Sequence, residues 1–144
     1  MTWEEYEAEC DKIRKENKRY LDVFYEDIKG LSDKTVNTHI GNVDFYINNY
    51  LLSEEALTMD QGIYYISGFL GDYFIRKCMW STPASIKSTA ASIKKFYKSM
   101  MEHGFIEKDD YVLLCNTIKE NMDEWQDACE AYNDHDAVVP FEFW

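Results

Sequence analysis

Apolar residues recur every three or four positions along most of this chain, a spacing typical of α-helices with one buried face. The first predicted helix begins at Thr2, because Thr2-x-x-Glu5 is a capping box, and it ends before Gly30. Its buried face is predicted to consist of Trp3, Tyr6, Cys10, Ile13, Tyr20, Leu21, Phe24 and Ile28.

Ser32 is a favourable N-cap and predicts a second helix that runs to about Leu51. A third helix is predicted from the capping box Thr58-x-x-Gln61 to the region of Lys77. Glycine lowers helix propensity, so the alternative for the part near Gly62 is a loop.

The fourth helix has a clear start, with Thr82 as N-cap and Pro83 at the first helical position, and Gly104 ends it. A fifth helix is predicted from about Asp109 to about Tyr132. With 144 residues and only two prolines, the chain is predicted to form one all-α domain over residues 1–144.

Charge is unevenly distributed along these helices. Residues 1–60 carry a net charge of −7, residues 61–106 of +4 and residues 107–144 of −9, within a total of −12. The total argues against non-specific nucleic-acid binding, which depends on neutralising phosphates. The distribution, in contrast, shows a basic region between two acidic flanks.

Several classes of protein are not expected from this composition. The four cysteines form no C-x-x-C pair and the three histidines are scattered, so neither a metal site nor a cofactor is predicted. No apolar run is long enough to span a membrane, and the first residues lack the pattern of a signal peptide. We therefore expect a cytoplasmic protein with reduced cysteines.

The predicted fourth helix carries the candidate chemistry. Lys87, Lys94 and Lys98 fall on one side of it, and Lys95 lies further round. We expect hydroxyl groups on the same exposed surface, from Ser85, Ser88 and Ser92. Such a surface can follow a phosphate backbone, but spacing and charge alone favour a solvated helix face whose lysines meet the acids of the first and fifth helices.

Three motifs resemble the N-terminal core-binding domain of tyrosine recombinases (phage integrases), over about residues 17–106. The second helix has Leu31-Ser32-Asp33-Lys34-Thr35-Val36, and the third has Ile66-Ser67-Gly68-Phe69-Leu70. The fourth has Ser81-Thr82-Pro83-Ala84-Ser85-Ile86, then Ile93-Lys94-Lys95-Phe96-Tyr97 and Gly104-Phe105-Ile106.

The resemblance implies a SAM-like orthogonal four-helix bundle, here with an additional C-terminal helix. It also implies a non-catalytic module that binds double-stranded DNA and is accessory to, or derived from, a site-specific recombinase. By position, the DNA-binding residues would be Lys34, Thr35, Thr38, Lys87, Lys94, Lys95 and Lys98. Lys95 stands where the family usually has arginine.

The chain departs from the family in two respects. The catalytic set of that family includes His-x-x-Arg, which does not occur among these 144 residues, so no catalytic residue is predicted. The region 107–144 adds an acidic helix and an aromatic tail, Phe141, Phe143 and Trp144. The acidic helix or the aromatic tail could contact a protein partner, so the alternative function is a protein–protein adaptor that does not bind DNA. A third hypothesis is that the acidic surface mimics DNA and binds a basic protein.

Overall fold

The computed structural model describes the backbone of residues 1–142 and the side chains of residues 1–134. Five helices follow one another in this part of the chain, and it contains no strand. The predicted all-α class, a helical bundle with an additional C-terminal helix, is therefore confirmed. The predicted contacts of Phe141, Phe143 and Trp144 fall outside the described side chains.

Helix α1 spans Trp3–Ile28 and begins where its capping box predicted, with the Thr2 hydroxyl accepting a hydrogen bond from the Glu5 amide at 3.1 Å. The prediction that Trp3 is buried is wrong, because its side chain is 69% exposed. Helical periodicity continues to the first turn, but no neighbouring element covers that turn. Further along, Cys10 and Ile13 pack with Leu52 in a small apolar cluster separate from the main core.

Helix α2 spans Asp33–Asp44, starts at its N-cap Ser32 and continues as a π-helix over Phe45–Tyr50. The wider turn places Tyr46 and Ile47 in the core with no exposed surface. The Tyr46 ring lies 4.8 Å from Phe69 and 5.7 Å from Tyr50, measured between ring centroids. Large rings packed together in this way favour the wider turn over a regular α-helix.

The third predicted helix is not continuous. A 3₁₀ helix covers Asp60–Tyr64, Tyr65 breaks the path, and helix α3 then covers residues 66–77, as α-helix at Ile66–Gly68, π-helix at Phe69–Tyr73 and α-helix at Phe74–Lys77. The region of Gly62 is thus neither a regular helix nor a loop. Its carbonyl accepts a hydrogen bond from the Tyr46 hydroxyl at 2.6 Å, which holds the 3₁₀ helix on the core.

Helix α4 spans Pro83–Glu102 and is the most enclosed element. Thr82 and Ser85 form a reciprocal capping box at its start, and Gly104, at φ +79°, follows its end. Helices α1 and α2 pack on it, and so does helix α5, which spans Lys108–Glu142. Only one side of α4 is left facing solvent.

Helix α5 extends beyond the predicted end at Tyr132. It packs on α4 and α3 through a buried row formed by Leu114, Ile118, Trp125 and Cys129. The Trp125 ring lies against Gly71, where a β-carbon would come within 2.8 Å of it. Helix α5 therefore covers a part of α4 that α1 and α2 leave open. The strip of α4 that remains exposed is bordered by these helices.

Candidate nucleic-acid interface

The solvent-facing side of α4 is a narrow basic strip, which we call the α4 stripe. Its exposed members recur at helical spacing, and all the remaining α4 residues from Ile86 to Met100 are buried. Four of the members are lysines and the others are small: Ala84, Lys87, Ser88, Ala91, Lys94, Lys95 and Lys98. The four predicted lysines are therefore brought together on one exposed surface.

These lysines form no ion pair within 4 Å with any side chain of residues 1–134. The lysine and arginine ion pairs among those residues instead join neighbours three or four positions apart, on α1, just after it, and on α3. The acids of α5 up to Asp134 thus do not pair with the stripe by direct contact. Lysines without ion-pair partners are what distinguishes a face that can bind phosphates from one that is paired internally.

Two carboxylates lie at the C-terminal end of the stripe. Asp27 and Glu102 line a shallow cavity of about 270 Å³ together with Lys95 and Lys98. Asp27 is already engaged, since it accepts hydrogen bonds from the Ser99 hydroxyl at 2.5 Å and from His103 Nε2 at 3.0 Å. The part of the stripe away from these carboxylates carries Lys87 and Lys94.

The predicted α2 residues, Lys34, Thr35 and Thr38, are exposed on the first two turns of that helix. The Thr38 hydroxyl donates to the Lys34 carbonyl at 2.9 Å, so its proton is not available to a ligand. The Thr35 hydroxyl accepts from Ser32 at 2.8 Å and retains its own proton for donation. Of the two threonines, Thr35 is the better phosphate donor.

Ser92 joins α4 to α2, and its predicted exposure is wrong because the residue is fully buried. Its oxygen accepts a hydrogen bond from Asn42 Nδ2 at 3.0 Å and lies 2.7 Å from His39 Nδ1. The turn of α4 places Ser92 on the edge beside the lysines, where α2 covers it. This contact fixes the spacing of the two basic helices.

His39 is a part of this surface that sequence reasoning missed. Burial lowers the pKa of its imidazole, and the nearby positive charge of Lys95 lowers it further. The ring is therefore neutral at pH 7. A lone histidine on a polar helix face gives little signal in the sequence, since its proximity to Lys95 exists only after α2 and α4 pack.

Ser99, Asp27 and His103 are the residue types of a hydrolytic triad but lack its connectivity. The serine hydroxyl and the histidine both bond to the aspartate rather than to each other, so the histidine is not positioned to take the serine proton as it does in a triad. The Ser99 hydrogen bond lowers the pKa of Asp27, and His103 adds to this while partial burial opposes it. The group tethers α1 to the end of α4.

Other chemistry is limited in the described part of the chain. It contains no cluster of His, Cys, Asp or Glu suited to a metal ion, and its cysteines are all unpaired thiols. Among the same residues, no helix combines the length and apolar character needed to cross a membrane.

Comparison of the chain with protein-family models, with curated proteins and with solved structures gave no match. The resemblance to integrase core-binding domains therefore stays a prediction from the sequence motifs.

Proposed function

We propose that this chain is a non-catalytic DNA-binding module of the kind implied by its resemblance to integrase core-binding domains. The observation that carries the proposal is the α4 stripe, with four exposed lysines that no described side chain neutralises. DNA affinity is dominated by such contacts between cations and the phosphate backbone.

The dimensions of the stripe support a phosphate contact. Lys87 and Lys98 are eleven residues apart, which is about 16 Å along a helix and about five base steps at 3.4 Å each. Lys34 and Thr35 are also exposed, on α2, and the Ser92 contact joins α2 to α4. Phosphate contacts of this kind position a protein on a duplex without selecting a base sequence.

The net charge of −12 shapes this function rather than excluding it. Residues 61–106 carry six bases and two acids, whereas both flanking regions are strongly acidic. Most of the flanking surface repels phosphates, so the side that carries α4 and the start of α2 is expected to face the duplex. We therefore expect one orientation on DNA and an affinity that falls steeply as salt is added.

Fluorescence anisotropy of a labelled duplex tests the proposal. If four lysines each displace a counterion, affinity should fall about one hundredfold between about 50 and about 200 mM salt. Lys94→Glu/Lys98→Glu should abolish binding. The matched control is Lys12→Glu/Lys15→Glu, which makes the same charge change at exposed positions of α1 and should bind within about twofold of the unmodified protein.

Two results would contradict the proposal. One is an absence of binding by the unmodified protein at low salt. The other is an equal loss in both double variants, because total charge rather than the α4 stripe would then control binding.

A protein–protein adaptor is the second candidate function. The favouring observation is that α5 exposes Val112 and Leu113, each 44% exposed, on a helix rich in acids. A partner would cover these side chains. Pull-downs with Val112→Asp/Leu113→Asp as the control would reveal such a partner. If the unmodified protein does not bind DNA at low salt, the adaptor becomes the favoured function.

A further inference from the structure

A second surface shares no residue with the α4 stripe. The first half of α1 and the segment 52–57 enclose an open groove of about 1070 Å³. Pockets for small molecules occupy about 300 to 1,000 Å³, so the groove has room for a stretch of polypeptide. Its floor is apolar, with Cys10 and Leu52 buried and Leu57 half-buried.

The groove is strongly acidic. Glu7, Glu9, Asp11, Glu54 and Glu55 line it, against one basic side chain, that of Arg14. Arg14 is already paired with Asp11 at 3.1 Å, and the four glutamates form no ion pair with any described side chain. A phosphate or an anionic lipid would be repelled here, whereas a cationic group would be attracted.

Aromatic side chains stand at the same place. The Trp3 ring is 69% exposed and lies 5.6 Å from the ring of Tyr6, whose hydroxyl is fixed by a hydrogen bond to the Leu52 carbonyl. Both rings stand on the first turn of α1, which Thr2 caps. An exposed indole beside carboxylates is a favourable setting for an arginine or lysine side chain, through cation–π contact.

We propose that this groove binds a positively charged segment of a partner protein. Arg or Lys side chains of the segment would contact the glutamates and the Trp3 ring, and an apolar side chain would cover Leu52 and Leu57. The charge of the lining selects the cationic partner. A second copy of this chain is a poorer fit, because its α4 stripe offers alanines and a serine between the lysines and nothing large enough for the apolar floor.

A labelled synthetic peptide of Arg, Leu and Gly serves as the probe, with Glu in place of Arg as the negative control. Glu54→Lys/Glu55→Lys should weaken binding roughly tenfold, since two ion pairs are lost and replaced by repulsion. The matched control is Asp123→Lys/Glu124→Lys, with the same charge change at exposed positions of α5, and it should bind within about twofold of the unmodified protein.

A second readout reports on the groove directly. With Trp80, Trp125 and Trp144 replaced by Phe, Trp3 is the only indole, and its emission should shift when the peptide binds. Trp3→Ala should weaken binding by about 2- to 30-fold, the range of a cation–π contact, while Trp80→Ala, at another exposed indole, should leave it unchanged.

Three outcomes would overturn the proposal. They are equal weakening by both charge variants, Trp3 emission that does not respond, and self-association of the protein that Glu54→Lys/Glu55→Lys abolishes. DNA binding by the same groove variant should be unchanged, so this test is independent of the function proposed above.

Discussion

Gly62 is the position where one added methyl group should have the largest effect on stability. A β-carbon there would lie 2.3 Å from the Tyr97 hydroxyl and 2.9 Å from a Leu51 methyl. Tyr97 is fully buried, and its hydroxyl donates to the Met59 carbonyl at 2.6 Å. In Gly62→Ala the ring cannot move into solvent, so the hydroxyl must lose this partner.

The cost follows from three terms. Overpacking a core costs about 1–3 kcal/mol. A buried hydroxyl without its partner costs about another 1–3 kcal/mol. Replacing glycine restricts the unfolded chain, which returns about 0.4–1 kcal/mol. We therefore expect Gly62→Ala to lower the free energy of unfolding by about 3 kcal/mol.

A double-mutant cycle isolates the contact. Tyr97→Phe removes the hydroxyl and should cost about 1 kcal/mol. In that background Gly62→Ala meets the tip of Leu51, which can shift, and the Tyr46 ring at 3.2 Å, and should cost about 1 kcal/mol instead of 3. The coupling of about 2 kcal/mol lies within the range for residues in contact.

Urea unfolding followed by far-UV circular dichroism measures all four proteins. Gly41→Ala is the control, because Gly41 is exposed in α2 with no atom within 4 Å of an added β-carbon, and it should stabilise the protein by up to about 1 kcal/mol. An equal cost of Gly62→Ala with and without the Tyr97 hydroxyl would refute the reasoning.

Three further predictions concern the contacts that hold the basic helices. Ser92→Ala should lower the free energy of unfolding by about 1–3 kcal/mol, because Asn42 and His39 lose a buried partner; a change within about 0.5 kcal/mol in urea unfolding would contradict this. Asp27→Asn should make stability less dependent on pH in acid. The pKa of Asp27 is lowered in the folded protein, so its ionised carboxylate contributes stability above pH of about 4, and this contribution is lost as pH falls. The thermal midpoints of the variant and the unmodified protein should therefore converge in acid. DNA binding should tighten as pH falls through the titration range of His39, because its pKa is lowered in the free protein and nearby phosphates would raise it; a His39→Asn variant with the same pH dependence in anisotropy titrations would exclude that role.

The starts of three helices were predictable because their signals are local. Thr2, Ser32 and Thr82 each accept the amide three residues ahead, and that bond depends on no other part of the fold. The π-helical turns and the break at Tyr65 were not predictable, because they arise where aromatic rings from separate helices share one core. Trp3 was predicted wrongly for a related reason: its spacing fits a buried helix face, but no other element covers its side chain.

For the candidate site, exposure was largely predictable and pairing was not. Helical periodicity places Lys87, Lys94 and Lys98 on one side, and the structure shows them exposed there. Ser92 lies at the edge of that side, where only the position of α2 decides its burial. Whether the lysines meet carboxylates depends on how α5 lies against α4, which no local pattern specifies.

The two proposed surfaces differ in how firmly the fold holds them, and this difference bears on their partners. The α4 stripe stands on a helix packed by α1, α2 and α5, so little backbone freedom is lost when it meets the regular backbone of a duplex. The acidic groove lies between the first turns of α1, where Trp3 is uncovered, and an irregular segment, 52–57. A less firmly held surface suits a peptide of variable shape, because side chains and loops can adjust to it. A rigid basic face and an adaptable acidic groove therefore favour two different partners, DNA and a basic protein segment, which can bind at the same time because the two surfaces share no residue.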